Sequence, residues 1–245
     1  MFKRGETKLN TNFAREEVID GGNQNVSILS NTSMTGYERL TNKRTIYRYI
    51  KRIIDVVLAS IALVVLSPIF LIIALAIKLE SKGPVFFKHT RIGKDGKIIK
   101  LYKFRSMVTN AEELIKAFTP EQMKEYKENY KLTNDPRITK VGKFLRKTSL
   151  DELPQLLNII KGDLTIIGPR PVIAEELKKY GTNTEKFLSV TPGLTGYWAA
   201  NGRSCTTYEQ RMQMELYYID NLSLKMDVKV FFKTIEAVIK REGAI

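Results

Sequence analysis

The chain has 245 residues, 43% of them hydrophobic and 27% charged, a composition ordinary for a globular protein with one core and appended segments. A formal charge of +14 points to anionic partners: nucleic acid, phosphorylated small molecules or an anionic membrane surface. The single cysteine, Cys205, and single histidine, His89, exclude an internal disulfide framework and a zinc site of the usual ligand set.

The first segment, residues 1–42, is rich in Asn, Thr, Ser and Gly and has almost no apolar periodicity. This composition predicts a polar, flexible tail rather than a fold. The segment also lacks a secretory signal's order of basic region, apolar region and small-residue cleavage site. We therefore expect the folded part to begin near residue 43.

A long apolar run follows at Ile53–Ile77, and among its 25 residues only Asp55 is charged. As a helix it would be about 37 Å long, against about 30 Å for the hydrocarbon core of a bilayer, which suits a tilted spanning helix. However, Ser67-Pro68 kinks the run midway, and basic residues flank both ends, whereas the positive-inside rule places them on the cytoplasmic side. A plain span and a re-entrant helix-break-helix over residues 43–82 both remain open on these features.

Beyond this run, Val85–Lys88 and Ile98–Phe104 flank the turn Gly93–Gly96, a pattern typical of a β-hairpin. The hairpin's basic residues form either a solvated face or a contact with anionic headgroups or a diphosphate. The mostly polar residues 109–131 predict a surface helix or a pair of helices.

Two adjacent carboxylates, Asp151 and Glu152, lie at a predicted helix start. Ser149 with Glu152 fits a capping box, and Pro154 is tolerated only within a first helical turn. Either Ser149 or Asp151 can cap the helix; Asp151 is favoured because Pro154 then lies safely inside that turn. In both cases the carboxylates face unpaired N–H groups and the positive end of the helix dipole, which favours the ionised form.

A short basic amphipathic helix, Ile138–Lys147, leads directly into this stretch and carries Arg146. After the carboxylates, apolar residues recur at helical spacing as far as Lys161-Gly162, and Leu164–Ile167 predicts a short strand. In Gly168–Pro171, two prolines fix the backbone on both sides of one arginine. Such rigid placement suits bidentate recognition of phosphate.

The C-terminal part begins with a predicted loop at Pro192–Trp198. A helix capped around Thr206, Thr207 and Glu209 follows, and a last helix starts at Asp227. The apolar stripe of this last helix is expected to pack in the core, with contact to a membrane surface as the alternative. The stripe consists of Val228, Phe231, Phe232, Ile235 and Val238.

A lone Asp-Glu pair is usually no more than a first helical turn. Here it lies beside Arg146 and ahead of the proline-locked Arg170, in a basic protein with a membrane-like segment. Carboxylates, arginines and a divalent metal are the equipment for phosphoryl transfer. Mg²⁺ is the expected ion, held by Asp151 and Glu152, because it takes one or two carboxylates together with phosphate oxygens.

Together these motifs resemble the bacterial sugar transferase family of monotopic phosphoglycosyl transferases, over about residues 48–241. The motifs that carry the resemblance are Lys51–Asp55, the apolar run broken at Ser67-Pro68, Leu101–Met107, Ser149–Gln155, Gly168–Pro171 and Pro192–Gly196. The resemblance implies transfer of a sugar-1-phosphate from a UDP-sugar to polyprenyl (undecaprenyl) phosphate, with release of UMP. The expected place is the cytoplasmic face of the bacterial cell membrane, at the start of exopolysaccharide or other surface-glycan synthesis.

The resemblance also implies residue roles. Asp151 would be the nucleophile that forms a phosphosugar-enzyme intermediate, assisted by Glu152 and Mg²⁺. Ser67-Pro68 would make the membrane helix re-entrant. The further site members implied are Arg146, Arg170 and Lys103 as phosphate-binding residues and Asp227 with an open role.

The predicted fold is α+β and mainly helical, a monotopic membrane protein with a re-entrant helix, a small β-hairpin and surface amphipathic helices. Its parts are the tail 1–42, the membrane helix 43–82 and a cytoplasmic-facing catalytic domain 83–245. Larger family members carry extra N-terminal membrane helices and a nucleotide-fold domain, so this chain is expected to be the minimal catalytic form.

The expected partners are a UDP-sugar, polyprenyl phosphate and membrane lipids, and a homo-oligomer stays open. The segment Tyr197–Ser204 resembles that of hexose-transferring members, which favours galactose or glucose. Nucleic acid is not expected, because no motif that reads it accompanies the charge. Two alternatives are direct transfer with Asp151 acting as base, and a non-enzymatic, membrane-bound scaffold that binds anions.

Overall fold

The computed structural model describes residues 42–129, 132, 134–202 and 206–240, so the predicted tail lies outside it apart from residue 42. The described helices are α1 (Asn42–Glu80), α2 (Ala111–Ile115), α3 (Pro120–Asn129), α4 (Lys140–Thr148), α5 (Leu156–Lys161), α6 (Ala174–Leu177), α7 (Thr184–Leu188), α8 (Tyr197–Asn201), α9 (Tyr208–Asp220) and α10 (Leu224–Ile239). The described strands are β1 (Phe86–Ile92), β2 (Ile98–Phe104), β3 (Thr165–Ile167) and β4 (Gly193–Thr195). The described chain is mainly helical with a small antiparallel hairpin, as predicted, and it has a second, parallel sheet of two strands that was not predicted.

Helix α1 contains the predicted membrane segment. It has 39 residues and would be about 58 Å long if straight, and its part Thr45–Glu80 is long and apolar enough to cross a membrane. Pro68 lies inside the helix, and the chain is helical on both sides of it, so the helix is not interrupted at the predicted break. The Ser67 hydroxyl donates to the Val64 carbonyl at 2.8 Å. A re-entrant path stays a prediction.

One side of α1 packs on the rest of the chain, where Ala59, Ile73 and Ile77 are buried. The other side is exposed and apolar along almost the whole helix. Its large exposed apolar residues are Ile46, Tyr49, Ile50, Ile53, Ile54, Val57, Leu58, Ile61, Val64, Val65, Ile69, Leu71, Ile72, Leu75 and Leu79. A stripe of this extent is characteristic of a surface that meets a membrane or another apolar partner.

The N-terminal half of α1 is fastened by two polar side chains. Arg52 donates to the carbonyls of Ile159 at 2.5 Å and Ile160 at 2.7 Å, which lie at the C-terminal end of α5. Asp55, buried, accepts from the Thr165 hydroxyl at the start of β3. These bonds satisfy helix-end carbonyls and a buried charge at the same time.

At the C-terminal end of α1 the arginine comes from the other partner: a residue outside α1 donates to carbonyls that directly follow the helix. Arg105, at the end of β2, donates to the carbonyls of Ser81 at 2.7 Å and Lys82 at 2.9 Å. The Glu80 carboxylate accepts from the backbone N–H of Lys140 at 2.7 Å, at the start of α4. Residues on both sides of Pro68 therefore bind the same following domain.

Strands β1 and β2 form the predicted antiparallel hairpin, with Phe86 opposite Phe104 and Ile92 opposite Ile98. A short 3-10 turn with Asp95 in the left-handed region, φ 57°, connects them. Because successive side chains in a strand point to opposite faces, even-numbered residues of both strands share one face of this hairpin and odd-numbered residues share the other.

The outer edge of β2 is bound by Asn158 of α5. The Asn158 Nδ2 donates to the Lys100 carbonyl at 2.8 Å, and its Oδ1 accepts from the Tyr102 N–H at 2.9 Å. Asn158 is fully buried, so its amide replaces the backbone partner that water or another strand would supply. This places α5 directly beside the hairpin.

Strands β3 and β4 are parallel, and Thr165 pairs with Gly193 and Ile167 with Thr195. The prediction of a loop over Pro192–Trp198 was wrong, since this stretch contains β4 and the start of α8. Strand β4 shows no apolar alternation in the sequence. Its pairing with β3 depends instead on glycines that let the two backbones approach closely. A Cβ at Gly193 would lie 2.1 Å from the Gly168 nitrogen, so only glycine fits.

The predicted core stripe of α10 was also wrong. Val228, Phe231, Phe232 and Ile235 are all exposed, Phe232 by 65%, while the buried side carries Val230 and other small or polar residues. The side chain of Val238 lies outside the description. Through Val230, the buried side of α10 joins the core cluster that contains Tyr218 and Ile219 of α9, while the large apolar residues remain on the surface.

The remaining predicted elements are present. The polar region contains the helix pair α2 and α3, and the basic amphipathic helix is α4. The Thr139 side chain caps α4 by accepting from the Gly142 N–H at 2.9 Å. Helix α5 ends at Gly162, which is left-handed with φ 93°. Helix α9 begins with a capping box between Thr207 and Gln210.

Candidate functional site

Asp151 lies in a 3-10 helix, Leu150–Gln155, which begins directly where α4 ends. Ser149 joins the two in the left-handed region, with φ 57°, and its N–H donates to the Arg146 carbonyl at 3.2 Å. Pro154, which has no N–H to donate, lies in this tight segment ahead of α5. The sharp turn at Ser149 sets the direction in which the two carboxylates leave the backbone.

Of the two predicted caps, Ser149 lies at the N-cap position, whereas the favoured Asp151 does not. The Ser149 side chain makes no capping hydrogen bond, and Asp151 lies inside the 3-10 helix rather than ahead of it. Only the backbone part of the expected box is present, where the Glu152 N–H donates to the Ser149 carbonyl at 3.2 Å. The left-handed turn replaces the capped helix start because α4 and the 3-10 helix share one junction residue.

Four side chains form what we call the carboxylate cluster: Lys103, Arg146, Asp151 and Glu152. Lys103 Nζ, from β2, lies 2.6 Å from Glu152 Oε1 and 4.0 Å from Asp151 Oδ2. Asp151 is 8% exposed, whereas Glu152 is half-buried. The structure thus brings together three of the predicted site residues within ion-pair distance.

Arg146 completes the cluster from the last turn of α4. Its Nε donates to the Ser106 hydroxyl at 2.9 Å, and its charge lowers the pKa of Asp151. Gly142 makes this approach of α4 to Ser106 possible, since a Cβ there would lie 2.0 Å from the Ser106 carbonyl oxygen. Arg146 is held by a neutral hydroxyl and remains exposed, so it can still bind an anion.

Burial raises the pKa of Asp151 to about 6, against an ordinary 3.8. Glu152 raises this pKa further, while Lys103 and Arg146 lower it. The helix start was predicted to favour the ionised form, and the backbone hydrogen bond does lower this pKa, but desolvation outweighs it. Asp151 is still mostly ionised at pH 7, but its charge is poorly solvated.

Arg170 lies on the surface between two buried prolines, directly after β3. Its backbone N–H donates to Glu215 Oε1 at 3.1 Å, and its guanidinium lies 5.8 Å from the centre of the Trp198 ring. A Cβ at Gly168 would lie 2.7 Å from the Gly193 nitrogen, so this turn also depends on glycine. The backbone is fixed while the guanidinium stays available, as the proline pair predicted.

The groups that support Arg170 were not found from the sequence. Glu215 is 2% exposed, accepts from the Tyr180 hydroxyl, and lies 3.4 Å from Arg211 Nε. Burial raises the pKa of Glu215, and Arg211 lowers it. The Arg211 guanidinium also lies near Trp198, 4.9 Å from the ring centre, so one indole ring makes cation–π contacts with two guanidinium groups.

Arg91 and His89 of β1 connect this region to the carboxylate cluster. Burial lowers the pKa of Arg91 to about 10, and the charge of Arg170 lowers it further. Burial, together with the charges of Arg91, Lys103 and Arg170, lowers the pKa of His89 to about 4, so it is neutral at pH 7. His89 therefore lies within electrostatic reach of both regions. We refer to Arg91, Arg170 and Arg211 as the arginine cluster.

His89 and Arg91 carry one signal that could have found them. They lie on the odd-numbered face of the hairpin, the face that carries Lys103. Hairpin alternation alone places them on the same side as Lys103.

Asp227, the remaining predicted site residue, has other neighbours. Its Oδ2 accepts from Tyr47 and Lys51 of α1, both at 2.9 Å, and its Oδ1 accepts from the Tyr218 hydroxyl at 2.6 Å. No described hydrogen bond or ion pair joins Asp227 to Asp151. In this structure Asp227 fastens α1 to α9 and α10, and a role in the reaction stays a prediction.

The donor set fits the expected Mg²⁺. Asp151 and Glu152 supply two adjacent carboxylates, and Mg²⁺ usually takes one or two carboxylates plus waters and phosphate oxygens. The described residues hold no group of three or more His, Cys, Asp or Glu that could bind a metal by themselves. The pair therefore fits an ion that shares its coordination with a substrate's phosphates.

Comparison with known proteins gives a family match that covers most of the chain. The model of the bacterial sugar transferases matches residues 46–241, which include every residue of the two clusters. The undecaprenyl-phosphate galactose phosphotransferase of Salmonella typhimurium is 41% identical over 200 residues, or 80% of this chain and 42% of that protein. The UDP-glucose:undecaprenyl-phosphate glucose-1-phosphate transferase of Escherichia coli is 42% identical over 197 residues, or 77% of this chain and 40% of that protein.

A shorter relative matches over most of its own length. The exopolysaccharide production protein ExoY of Rhizobium meliloti is 44% identical over 197 residues, which make up 79% of this chain and 87% of that protein. By contrast, the chain spans about two fifths of the length of the Salmonella and Escherichia relatives.

Proposed function

The chain belongs to the bacterial sugar transferase family, and we propose that it moves a hexose-1-phosphate from a UDP-sugar to undecaprenyl phosphate or another polyprenyl phosphate, with release of UMP. The names of the Salmonella and Escherichia relatives favour galactose or glucose as the sugar. The ExoY relative favours a product used in exopolysaccharide synthesis. The observation that carries the proposal is a buried Asp151 whose nearest charges are a lysine, an arginine and a second carboxylate.

In the first step, a carboxylate oxygen of Asp151 attacks the phosphorus that bears the sugar. A bond forms between that oxygen and phosphorus, the bond from phosphorus to the bridging oxygen of the diphosphate breaks, and UMP leaves with the electron pair. The result is an acyl phosphate that joins Asp151 to the sugar-1-phosphate. A desolvated carboxylate that is still ionised suits this role, because less water has to be removed before it attacks.

In the second step, a phosphate oxygen of the polyprenyl phosphate attacks the same phosphorus. The acyl phosphate bond breaks, Asp151 is released as a carboxylate, and a polyprenyl diphosphate sugar is formed. Splitting one transfer into two displacements lets the soluble donor leave before the lipid acceptor reacts. One site can therefore serve two phosphate substrates in turn.

The other charged residues neutralise phosphate. Lys103, placed between Glu152 and Asp151, is positioned for the transferred phosphoryl group, and Arg146 and Arg170 for the flanking phosphates. A Mg²⁺ held by Asp151 and Glu152 would neutralise diphosphate charge and so improve UMP as a leaving group. Neutral His89 and the desolvated Arg91 lie within electrostatic reach of both clusters.

Trapping tests the covalent step. The full chain in detergent, given a UDP-sugar radiolabelled in the sugar-phosphate half and no polyprenyl phosphate, should retain label on protein. Asp151→Asn should retain none, while the surface variant Asp220→Asn should label normally. Rapid UMP release with both substrates but without any labelled protein would favour the alternative in which Asp151 acts as base. A panel of UDP-sugars in the same assay identifies the sugar.

We also propose that α1 enters and leaves the membrane on one face, the cytoplasmic face of the bacterial cell membrane. The support is that Arg52 and Asp55 before Pro68, and Glu80 after it, all bind residues of the single domain that follows α1. A helix that crossed the bilayer could not keep both sets of contacts with one domain, because about 30 Å of hydrocarbon would separate its two ends. The exposed apolar stripe would then face lipid.

Labelling from the two sides of the membrane tests this topology. In a Cys205→Ser background, Arg48→Cys and Lys82→Cys should react with a membrane-impermeant maleimide from the same side of oriented vesicles. Labelling from opposite sides would show a span and contradict the proposal.

A further inference from the structure

The even-numbered face of the β-hairpin forms a groove with α5. The cavity has a volume of about 440 Å³. Its lining residues are Phe86, Lys88, Tyr102, Leu157, Ile160 and Lys161. We call it the hairpin groove. It is apolar except for two ammonium groups and one hydroxyl, a combination that matches a ligand with an apolar body and an anionic head.

The cationic part of the groove is centred on Tyr102. Lys161 Nζ lies 2.5 Å from the Tyr102 hydroxyl and 4.6 Å from the ring centre, and Lys88 Nζ lies 5.9 Å from the same ring centre. Asp163 is the acidic group within electrostatic reach of this side, and its carboxylate already accepts from Asn158. The hydrogen bond from Lys161 lowers the pKa of Tyr102, in keeping with an excess of positive charge.

The apolar part of the groove is continuous with the surface of α1. Ile160 packs in the same cluster as Leu63 of α1. At the other end, Phe86 stacks on Phe104 at 5.4 Å, and Phe104 contacts Phe70 of α1 at 5.2 Å. The groove therefore lies beside the part of α1 around Pro68, where the exposed apolar stripe is uninterrupted.

The groove is separate from the proposed reaction site. Tyr102 and Lys103 are consecutive in β2, so their side chains leave opposite faces of the hairpin. Lys103 binds Glu152 on one face, while Tyr102 and Lys88 line the groove on the other. A phosphate bound between Lys88 and Lys161 would not reach Asp151, which argues against the lipid substrate as the occupant.

We propose that the hairpin groove binds an anionic phospholipid of the bilayer, with its phosphate between Lys88 and Lys161 and an acyl chain on Phe86, Leu157 and Ile160. Two ammonium groups beside an apolar wall match a lipid phosphate and its chain. The bound lipid would continue the apolar stripe of α1 across the hairpin. This proposal rests on the membrane association proposed above but not on the transfer chemistry.

Native mass spectrometry of the full chain in mixed micelles tests the groove. The wild type should retain phosphatidylglycerol in preference to phosphatidylcholine. In the double variant Lys88→Gln/Lys161→Gln, the ratio of bound phosphatidylglycerol to bound phosphatidylcholine should be roughly tenfold lower. The double variant Lys94→Gln/Lys97→Gln, which removes the same charge from the turn of the same hairpin, should keep it. Thermal unfolding of each variant checks that the fold is retained.

Three results would overturn the proposal. The first is an unchanged phosphatidylglycerol preference in Lys88→Gln/Lys161→Gln. The second is an equal loss in Lys94→Gln/Lys97→Gln, which would indicate general surface charge. The third is polyprenyl phosphate displacing phosphatidylglycerol with the same lysine dependence, which would make the groove a substrate site. Loss of lipid selectivity with normal UMP release would leave the proposed function intact.

Discussion

The carboxylate cluster and the arginine cluster differ in how their charged groups are compensated. In the carboxylate cluster the nearly buried carboxyl of Asp151 has Lys103 as its one cation within 4.0 Å among the described residues, and its pKa rises to about 6. In the arginine cluster the guanidinium groups of Arg170 and Arg211 lie near an indole ring, and a buried carboxylate pairs with Arg211 and accepts from the backbone of Arg170. The first arrangement leaves an anion reactive, and the second holds cations in place without neutralising Arg170.

The two clusters also differ in how the chain builds them. Residues 146–152 supply three members of the carboxylate cluster from one short segment, and β2 adds Lys103. The arginine cluster is assembled from β1, the turn after β3 and α9, which are far apart in sequence. Local chemistry therefore reveals the first cluster, whereas in the second it marks Arg170 alone, and the contacts with Arg211 and Glu215 follow only from tertiary structure.

The largest effect should come from Asp151→Asn, which removes the proposed nucleophile. We expect UMP release to fall by about 10³-fold or more, because no other described carboxyl is placed to form the intermediate. Stability should change in the opposite direction. The folded pKa of Asp151 lies above its unfolded value, so the charged form destabilises the fold above about pH 6, and the neutral amide removes that cost, on the order of 1–3 kcal/mol.

Assays of UMP release and thermal unfolding at pH 7.5 check both parts of this prediction, with Asp220→Asn as the control for charge. An Asp151→Asn protein that still turns over within tenfold of wild type would remove the nucleophile assignment. A lower melting temperature would show that the carboxylate stabilises the fold instead.

Next in size is the effect of Arg170→Lys, which keeps the charge but loses the planar fork and the contact with Trp198. We expect kcat/KM for the UDP-sugar to fall by about 10²-fold, because a lysine cannot form bidentate bonds to phosphate. Steady-state kinetics check this, with the exposed Lys178→Ala as control. Full activity in Arg170→Lys would mean that the arginine cluster supplies only general positive charge.

The pH dependence should show a loss of activity on the acid side. As pH falls through about 6, Asp151 gains a proton and stops being a nucleophile, so formation of the labelled intermediate should fall about fivefold between pH 6 and pH 5. His89, with its pKa lowered to about 4, should not contribute over this range. Single-turnover labelling from pH 5 to 8 measures the midpoint; a midpoint near 4 would contradict the desolvated carboxylate.

The smallest effect is a change in KM that we expect from Glu215→Gln but not from Asp227→Asn. Glu215→Gln keeps an acceptor for the Arg170 N–H but removes the charge that faces Arg211, so KM for the UDP-sugar should rise several-fold with little change in kcat. Asp227→Asn weakens the contacts with Tyr47 and Lys51 and should lower thermal stability while leaving KM unchanged. A raised KM in Asp227→Asn would instead support its predicted membership of the site.

These elements show what the sequence could predict. The hairpin, the helix that follows Asp151 and the glycine at its end follow from local propensity and turn chemistry, and all are present. The Asp151 pKa could not be predicted, because the burial that dominates it depends on tertiary packing. The exposed face of α10 was missed for a related reason, since apolar periodicity marks a face without saying whether protein or lipid covers it.

The side-chain amide of Asn158 also bears on whether copies of this protein aggregate through the hairpin. A two-stranded hairpin leaves backbone donors and acceptors open along its outer edges, and such edges can pair with strands of neighbouring chains. Asn158 occupies both groups of β2 at Lys100 and Tyr102, and Val172 accepts from the Ile92 N–H at 2.8 Å at the end of β1. The hairpin is therefore protected from edge-to-edge aggregation at these positions, by a residue of the helix that directly follows the segment Leu150–Gln155.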